Sequence, residues 1–195
     1  MAIVVVGGSA KDVGKTGLVC AIISALRDFQ WTAVKITGHD YAASLSPDNK
    51  VHTPAEIIQE ETRAGQGTDT ARYLAAGARR ALLVSRRGDK IPIEEIRAAI
   101  GADRNLIFES NRIVEELKPD VCLALVGGDE KKASFEQLFR ITDAVVSVGN
   151  KDGHFVGEVP HGFQLASIDR LPIDMVQWMR EQLSRDRGSL YRSKK

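Results

Sequence analysis

The chain has 195 residues, enough for one large domain or one domain with a small appendage and too few for two well-filled cores. Its 27 Lys+Arg against 26 Asp+Glu leave a net charge of +1, which excludes bulk electrostatic attraction to nucleic acid or to an anionic membrane. A hydrophobic fraction of 43% excludes intrinsic disorder.

In chain order, short β-branched runs alternate with stretches of helical period, the pattern of parallel strands joined by crossover helices. Strands are predicted over 3–6, 32–37, 81–85, 106–108, 121–126 and 144–148. Most are apolar throughout, as expected of strands covered on both faces. The fold expected is therefore α/β, a three-layer, doubly wound, mainly parallel sheet. Helices are predicted over 15–29, where Leu18, Ile22 and Leu26 stand four apart, and over 69–76, opened by Thr68 as N-cap and closed by Gly77. Further helices are predicted over 93–100, 111–117 and 134–140. The last, from about 173 to 185, spaces Ile173, Val176, Met179 and Leu183 at three and four.

From Gly38 to about Gly67 periodicity lapses, apart from 55–63, which has the option of a short helix. A loop this long inside a compact domain is expected to be functional. The organisation expected is one domain over 1–187 with a basic, frayed tail over 188–195. Cys20 and Cys122 both lie in apolar runs, which predicts buried free thiols in a reducing compartment. The apolar start over 2–6 breaks at Gly7, short of a signal peptide, and no run approaches the roughly 20 residues of a membrane span. A soluble, cytoplasmic protein is expected.

The sharpest motif is Gly7-Gly8-Ser9-Ala10-Lys11-Asp12-Val13-Gly14-Lys15-Thr16, between the first strand and the first helix. A phosphate chain is held by successive backbone N–H groups and a helix N-terminus, with a Lys on the terminal phosphates and a Ser/Thr hydroxyl on Mg²⁺. The phosphate-binding set is thus Ser9, Ala10, Lys11, Asp12, Val13, Gly14, Lys15, Thr16 and Gly17. Ser9 stands where the strict pattern has its first Gly, the turn-forming glycines lying one and two residues earlier. The competing assignment is a glycine-rich turn without a ligand. A dinucleotide fingerprint is disfavoured because the second strand ends Val34-Lys35-Ile36-Thr37 without an acid.

This loop, the segment Val34-Lys35-Ile36-Thr37-Gly38-His39-Asp40, and Gly67-Thr68-Asp69-Thr70-Ala71-Arg72 running on to Ala76-Gly77-Ala78 resemble the molybdopterin-guanine dinucleotide biosynthesis protein B family over roughly 1–125. The layout is also similar to dethiobiotin synthetase, whose loop likewise reads Asp-x-Val-Gly-Lys-Thr. The resemblance implies that Lys35 contacts phosphate, that Asp69 and Glu109 join Thr16 around Mg²⁺, and that Lys15 and Lys35 carry any phosphoryl chemistry. Asp69 has a competing role as a first-turn acid, Glu109 as a cap, and Lys35 as a surface lysine. Where the molybdopterin family has Glu-Gly, this chain has Glu109-Ser110-Asn111. His39, Asp40 and Arg72 are candidates for a substrate or switch role. Asn150 and Lys151 are candidate base contacts, although Gly149 to Gly153 reads equally well as a plain turn.

The leading expectation is a Mg²⁺-dependent, GTP-binding P-loop NTPase of slow turnover, with ATP as the competing nucleotide. The resemblance implies an accessory role beside a molybdenum cofactor nucleotidyltransferase, and a homodimer. Two alternatives stay open: an ATP-dependent small-molecule kinase or ligase, and a metal-insertion or partner-regulating GTPase that uses the 38–67 loop as a switch.

Overall fold

The structure is a computed structural model that describes residues 1–38, 57–86, 88, 90–127, 133–149 and 161–184. Five helices and eight strands form among them. In chain order they are β1 (Ala2–Gly8), α1 (Lys15–Ala25), β2 (Thr32–Thr37), β3 (Ile58–Glu60), α2 (Asp69–Ala76), β4 (Arg80–Ser85) and α3 (Ile93–Ile100). There follow β5 (Asn105–Glu109), β6 (Val121–Val126), α4 (Ala133–Phe139), β7 (Ala144–Val148), β8 (Gly162–Leu165) and α5 (Ile173–Leu183). The strands make one sheet in the order β3-β4-β2-β5-β1-β6-β7-β8. Every pairing is parallel except β3 with β4.

Strand alternation divides the core between the two faces of the sheet. Val4 and Val6 of β1 face a cluster with Leu18 and Ile22 of α1, Tyr73 of α2 and Met175 and Met179 of α5. Ile3 and Val5 face the opposite cluster, with Ile96 of α3 and Phe135 and Leu138 of α4. The four-residue spacing in α1 has its expected result, for Leu18, Ile22 and Leu26 are fully buried. At roughly 2 kcal/mol per buried leucine or isoleucine, that stripe is what holds α1 to the sheet.

The helix 69–76 has the predicted bounds and caps. Thr68 Oγ1 accepts from the Ala71 N–H at 3.1 Å, and Gly77 closes the helix at φ 108°. Several elements differ from expectation. α1 ends at Ala25 and continues only as a 3₁₀ turn over Arg27–Phe29. The helix expected over 111–117 shrinks to a 3₁₀ turn at Ile113–Glu115. Within 57–63, the described part of the segment that had the option of a short helix, there is the short antiparallel strand β3. In α5 the buried stripe is Met175, Met179 and Gln182, whereas Ile173 is 85% exposed. Cys122 is buried and Cys20 half-buried, and both are free thiols. Among the described residues no helix is long and apolar enough to cross a membrane.

Strand order also fixes where a ligand crevice opens. The chain leaves β1 through α1 on one face to reach β2, passing over β5. It leaves β5 through Ile113 and Val114 on the other face to reach β6, passing over β1. The two connections part at the carboxyl ends of β1 and β5, the place where open α/β sheets form a crevice.

Candidate functional site

The loop after β1 is pinned at its start by two side chains. Ser9 donates its N–H to the Leu125 carbonyl at 3.0 Å, while its hydroxyl donates to the Gly127 carbonyl at 2.7 Å and accepts from the Gly127 N–H at 3.0 Å. Asn111 makes the matching clamp on the other side. Its Oδ1 accepts from the Gly8 N–H at 2.8 Å and its Nδ2 donates to the Gly8 carbonyl at 3.0 Å. The N–H and hydroxyl of Ser9, read from sequence as part of the phosphate set, are thus spent on the end of β6.

Beyond that anchored start, Lys11 and Asp12 are exposed, and Asp12 has a left-handed φ of 56°. Gly14 follows at φ 106°, a conformation that costs glycine nothing, and turns the chain into α1. Lys15 folds back over the loop, its Nζ donating to the Ala10 carbonyl at 3.1 Å. The loop amides from Lys11 to Thr16 therefore lie between an anchored start and a helix N-terminus, an arrangement suited to anions.

Four of the residues singled out from sequence meet beside the first turn of α1. Lys35 and Glu109 are register partners on β2 and β5 and extend toward the α1 and α2 face. Lys35 Nζ donates to Glu109 Oε1 at 3.0 Å, to Thr16 Oγ1 at 3.5 Å and to Asp69 Oδ2 at the start of α2. Thr16 in turn donates to Glu109 Oε2 at 2.8 Å. Burial works against the Lys35 ammonium, but the charges and hydrogen bonds of Glu109 and Asp69 together raise its pKa above the ordinary lysine value.

Tyr73 was absent from the sequence-derived site. Its hydroxyl donates to Glu109 Oε2, and its ring is fully buried. Burial first, and then the Glu109 charge, push this phenol well above its usual pKa, so it remains a donor. Tyr73 lies four residues after Asp69, hence on the same helical face; that spacing was the available signal. Glu109 caps no helix, and Asp69 is a first-turn acid that also pairs with Lys35.

Glu109-Ser110-Asn111 divides into three tasks. Glu109 joins the cluster, Ser110 Oγ accepts from the N–H groups of Arg112 and Ile113 at 3.2 and 3.3 Å, and Asn111 clamps Gly8. Arg72 lies 3.7 Å from Asp69 with a side chain 37% exposed. His39, Asp40, Asn150 and Lys151, and the tail 188–195, fall outside the described residues.

Two clefts flank the cluster. One, of about 460 Å³, is lined by Lys15, Arg86, Glu109, Asn111, Arg112 and Ser134 among others. The second, of about 500 Å³, opens between β3 and the start of α2 and reaches Lys35, Glu61 and Asp69. Among the described residues no group of three or more His, Cys, Asp and Glu side chains is placed to hold a metal ion. The donor set at the cluster is instead two carboxylates and a hydroxyl. Those three hard oxygen donors already converge on one cationic centre, the Lys35 ammonium, and they suit Mg²⁺, which takes one or two carboxylates together with phosphate oxygens and water. Comparison of the chain with protein-family models and with curated protein sequences gives no match.

Proposed function

We propose that this protein is a Mg²⁺-dependent P-loop NTPase that binds GTP and acts as an accessory factor in molybdenum cofactor biosynthesis. The observation that carries the nucleotide part is the meeting of Thr16, Lys35, Asp69 and Glu109 directly behind the anchored loop. The molybdenum part, including a nucleotidyltransferase partner and a homodimer, rests on the resemblance in the loop, the Lys35 strand and the Asp69 helix.

In the mechanism the loop amides and the α1 N-terminus bind the β- and γ-phosphates, and Lys15 leaves the Ala10 carbonyl to reach them. Thr16, Asp69 and Glu109 would hold Mg²⁺, which when bound offsets phosphate charge. Lys35 then turns from the carboxylates toward the transferring phosphoryl group, where its positive charge lowers the barrier. Tyr73 keeps Glu109 aimed at Thr16 throughout. Slow hydrolysis is what the resemblance implies.

Thermal shifts with GTP and ATP, each with and without Mg²⁺, test the proposal. GTP with Mg²⁺ is expected to raise Tm most, and Lys15→Ala to remove that rise without unfolding the apo protein. An equal or ATP-biased shift would turn the assignment to an ATP-dependent kinase or ligase, a class favoured by the cleft beside Lys15 and Glu109. Retained stabilisation in Lys15→Ala would overturn nucleotide binding at this loop.

A further inference from the structure

We propose that Glu61 is a positioning residue for Asp69: its carboxylate clips the first turn of α2 to the edge of the sheet and so fixes where the Asp69 oxygens stand for Mg²⁺. The proposal rests on the Mg²⁺-nucleotide assignment above and adds to it a residue that touches neither metal nor nucleotide.

Lys35 and Glu109 are placed by strand register. Asp69 takes its place from the first position of an eight-residue helix, and helix ends fray. It is also the most exposed of the three charged groups, its side chain at 35% against 21% for Lys35 and 5% for Glu109. A fixed Asp69 therefore needs a tie from outside the helix.

Glu61 supplies that tie from the sheet. Its N–H continues the β3 pairing, donating to the Ala81 carbonyl at 2.9 Å, and Glu60 before it is gripped by Arg80 Nε and Nη2 at 2.8 and 2.7 Å. The Glu61 carboxylate then reaches forward along the chain. Oε1 accepts from the N–H groups of Thr62 and Arg63, both at 3.1 Å, and Oε2 accepts from the hydroxyls of Thr68 and Thr70 at 3.0 and 3.3 Å. Those two threonines bracket Asp69. The Arg63 N–H first, and then the Thr68 hydroxyl, hold the Glu61 carboxyl below the ordinary glutamate pKa, so at neutral pH it only accepts. A threonine hydroxyl has one proton; with that proton committed to Glu61, the Thr68 oxygen turns its lone pairs to the Ala71 N–H, the N-cap bond. The Gly65 N–H closes the same loop on the Ala71 carbonyl at 3.1 Å.

α2 as a whole is held to the core by Ala71 and Tyr73, both buried. Loss of the Glu61 side chain therefore loosens the first turn and leaves the rest of the helix docked. Asp69 then drifts relative to Thr16 and Glu109, and Mg²⁺ tolerates little departure from octahedral geometry.

The experiment measures the affinity of the full chain for a non-hydrolysable GTP or ATP analogue over a Mg²⁺ series, with amide hydrogen exchange over 61–72 read alongside. Glu61→Ala is expected to raise the half-saturating Mg²⁺ at least fivefold, to leave affinity without Mg²⁺ within twofold, and to speed exchange at Gly65 and Ala71. Glu61→Gln, which keeps the shape and one acceptor oxygen, should fall between Glu61→Ala and wild type, while Glu94→Gln on α3 changes nothing. Melting curves establish that the variants fold; if Glu61→Ala does not, Thr70→Val, which deletes one donor at constant shape, carries the test with a rise of at least twofold. An unchanged half-saturating Mg²⁺ in a folded variant overturns the proposal, as do unchanged exchange at Ala71 and an equal loss of affinity with and without Mg²⁺. Failure of the Mg²⁺-nucleotide assignment is distinguishable, because it appears in the wild type as nucleotide affinity absent or indifferent to Mg²⁺; the role given to Glu61 then falls with it before any variant is compared.

Discussion

Lys35 and Glu109 are register partners on adjacent parallel strands, and the Lys35 ammonium lies 3.0 Å from Glu109 Oε1 while also touching Asp69 and Thr16. One lysine thus occupies the centre of the oxygen set assigned to Mg²⁺. Removing it exposes the relationship. Lys35→Met leaves Glu109, 5% exposed, without its cation, a loss of about 3 kcal/mol by analogy with other broken buried pairs. That corresponds to roughly 6–12 °C in Tm for a chain of this size. Because the ammonium competes with a divalent cation for the same oxygens, millimolar Mg²⁺ is expected to raise the Tm of Lys35→Met more than that of the wild type. An equal rise in both would remove Mg²⁺ from these oxygens.

Tyr73→Phe deletes a single hydroxyl from a fully buried ring, so little packing changes. Glu109 loses a hydrogen bond to a charged acceptor, which is worth about 1.5–3 kcal/mol. The expected result is a Tm lowered by roughly 3–12 °C together with a larger fall in nucleotide turnover than in nucleotide affinity, since Glu109 keeps its contacts with Thr16 and Lys35. Unchanged turnover in a folded Tyr73→Phe protein would reduce Tyr73 to a core residue.

Ser9→Gly restores the strict glycine of the phosphate-loop pattern, yet it is expected to weaken the protein. It deletes both hydrogen bonds between the hydroxyl and Gly127, about 1–2 kcal/mol in sum, and adds backbone freedom to the unfolded chain. Urea denaturation should show a lowered midpoint, while Mg²⁺-nucleotide binding stays within a few-fold of wild type. A gain in stability would mean that the Ser9 clamp is not what anchors the loop.

The same contrast shows which features are legible in a sequence. Lys15 and Thr16 could be picked out because they open a helix directly after a glycine-rich turn, whereas Lys35 inside β2 and Asp69 at the start of α2 were singled out through the family resemblance. Tyr73 was hidden because an aromatic residue inside an amphipathic helix reads as core, which it also is. β3 was hidden for the opposite reason: Gln59 and Glu60 are exposed, and pairing with β4 alone makes the segment a strand. The 111–117 helix shortens to a 3₁₀ turn although Ser110 caps the Arg112 and Ile113 N–H groups: Asn111 is drawn to Gly8, and Pro119 turns the chain away from helix at Lys118. Long-range partners of this kind leave no local period.

Alkaline pH provides a direct readout of the buried cluster. Lys35 is raised because Glu109 and Asp69 outweigh the opposing effect of burial, and Tyr73 is raised chiefly by burial and next by Glu109. Burial also pushes the Cys122 thiol up to about 12. In each case the folded state holds its proton more tightly than the unfolded chain. The stability so gained is complete below the unfolded pKa values and is lost as pH rises through the folded ones. The thiol contribution should therefore decline from about pH 9 and those of Tyr73 and Lys35 from about pH 10. Unfolding free energies measured between pH 7 and 11 are expected to fall over that window in the wild type, with a shallower fall above pH 10 in Lys35→Met and Tyr73→Phe. Tyrosinate absorbance from Tyr73, isolated as the difference between wild type and Tyr73→Phe, should emerge only with unfolding. Its appearance in the folded protein near pH 10 would show that the hydroxyl is solvated and does not hold Glu109.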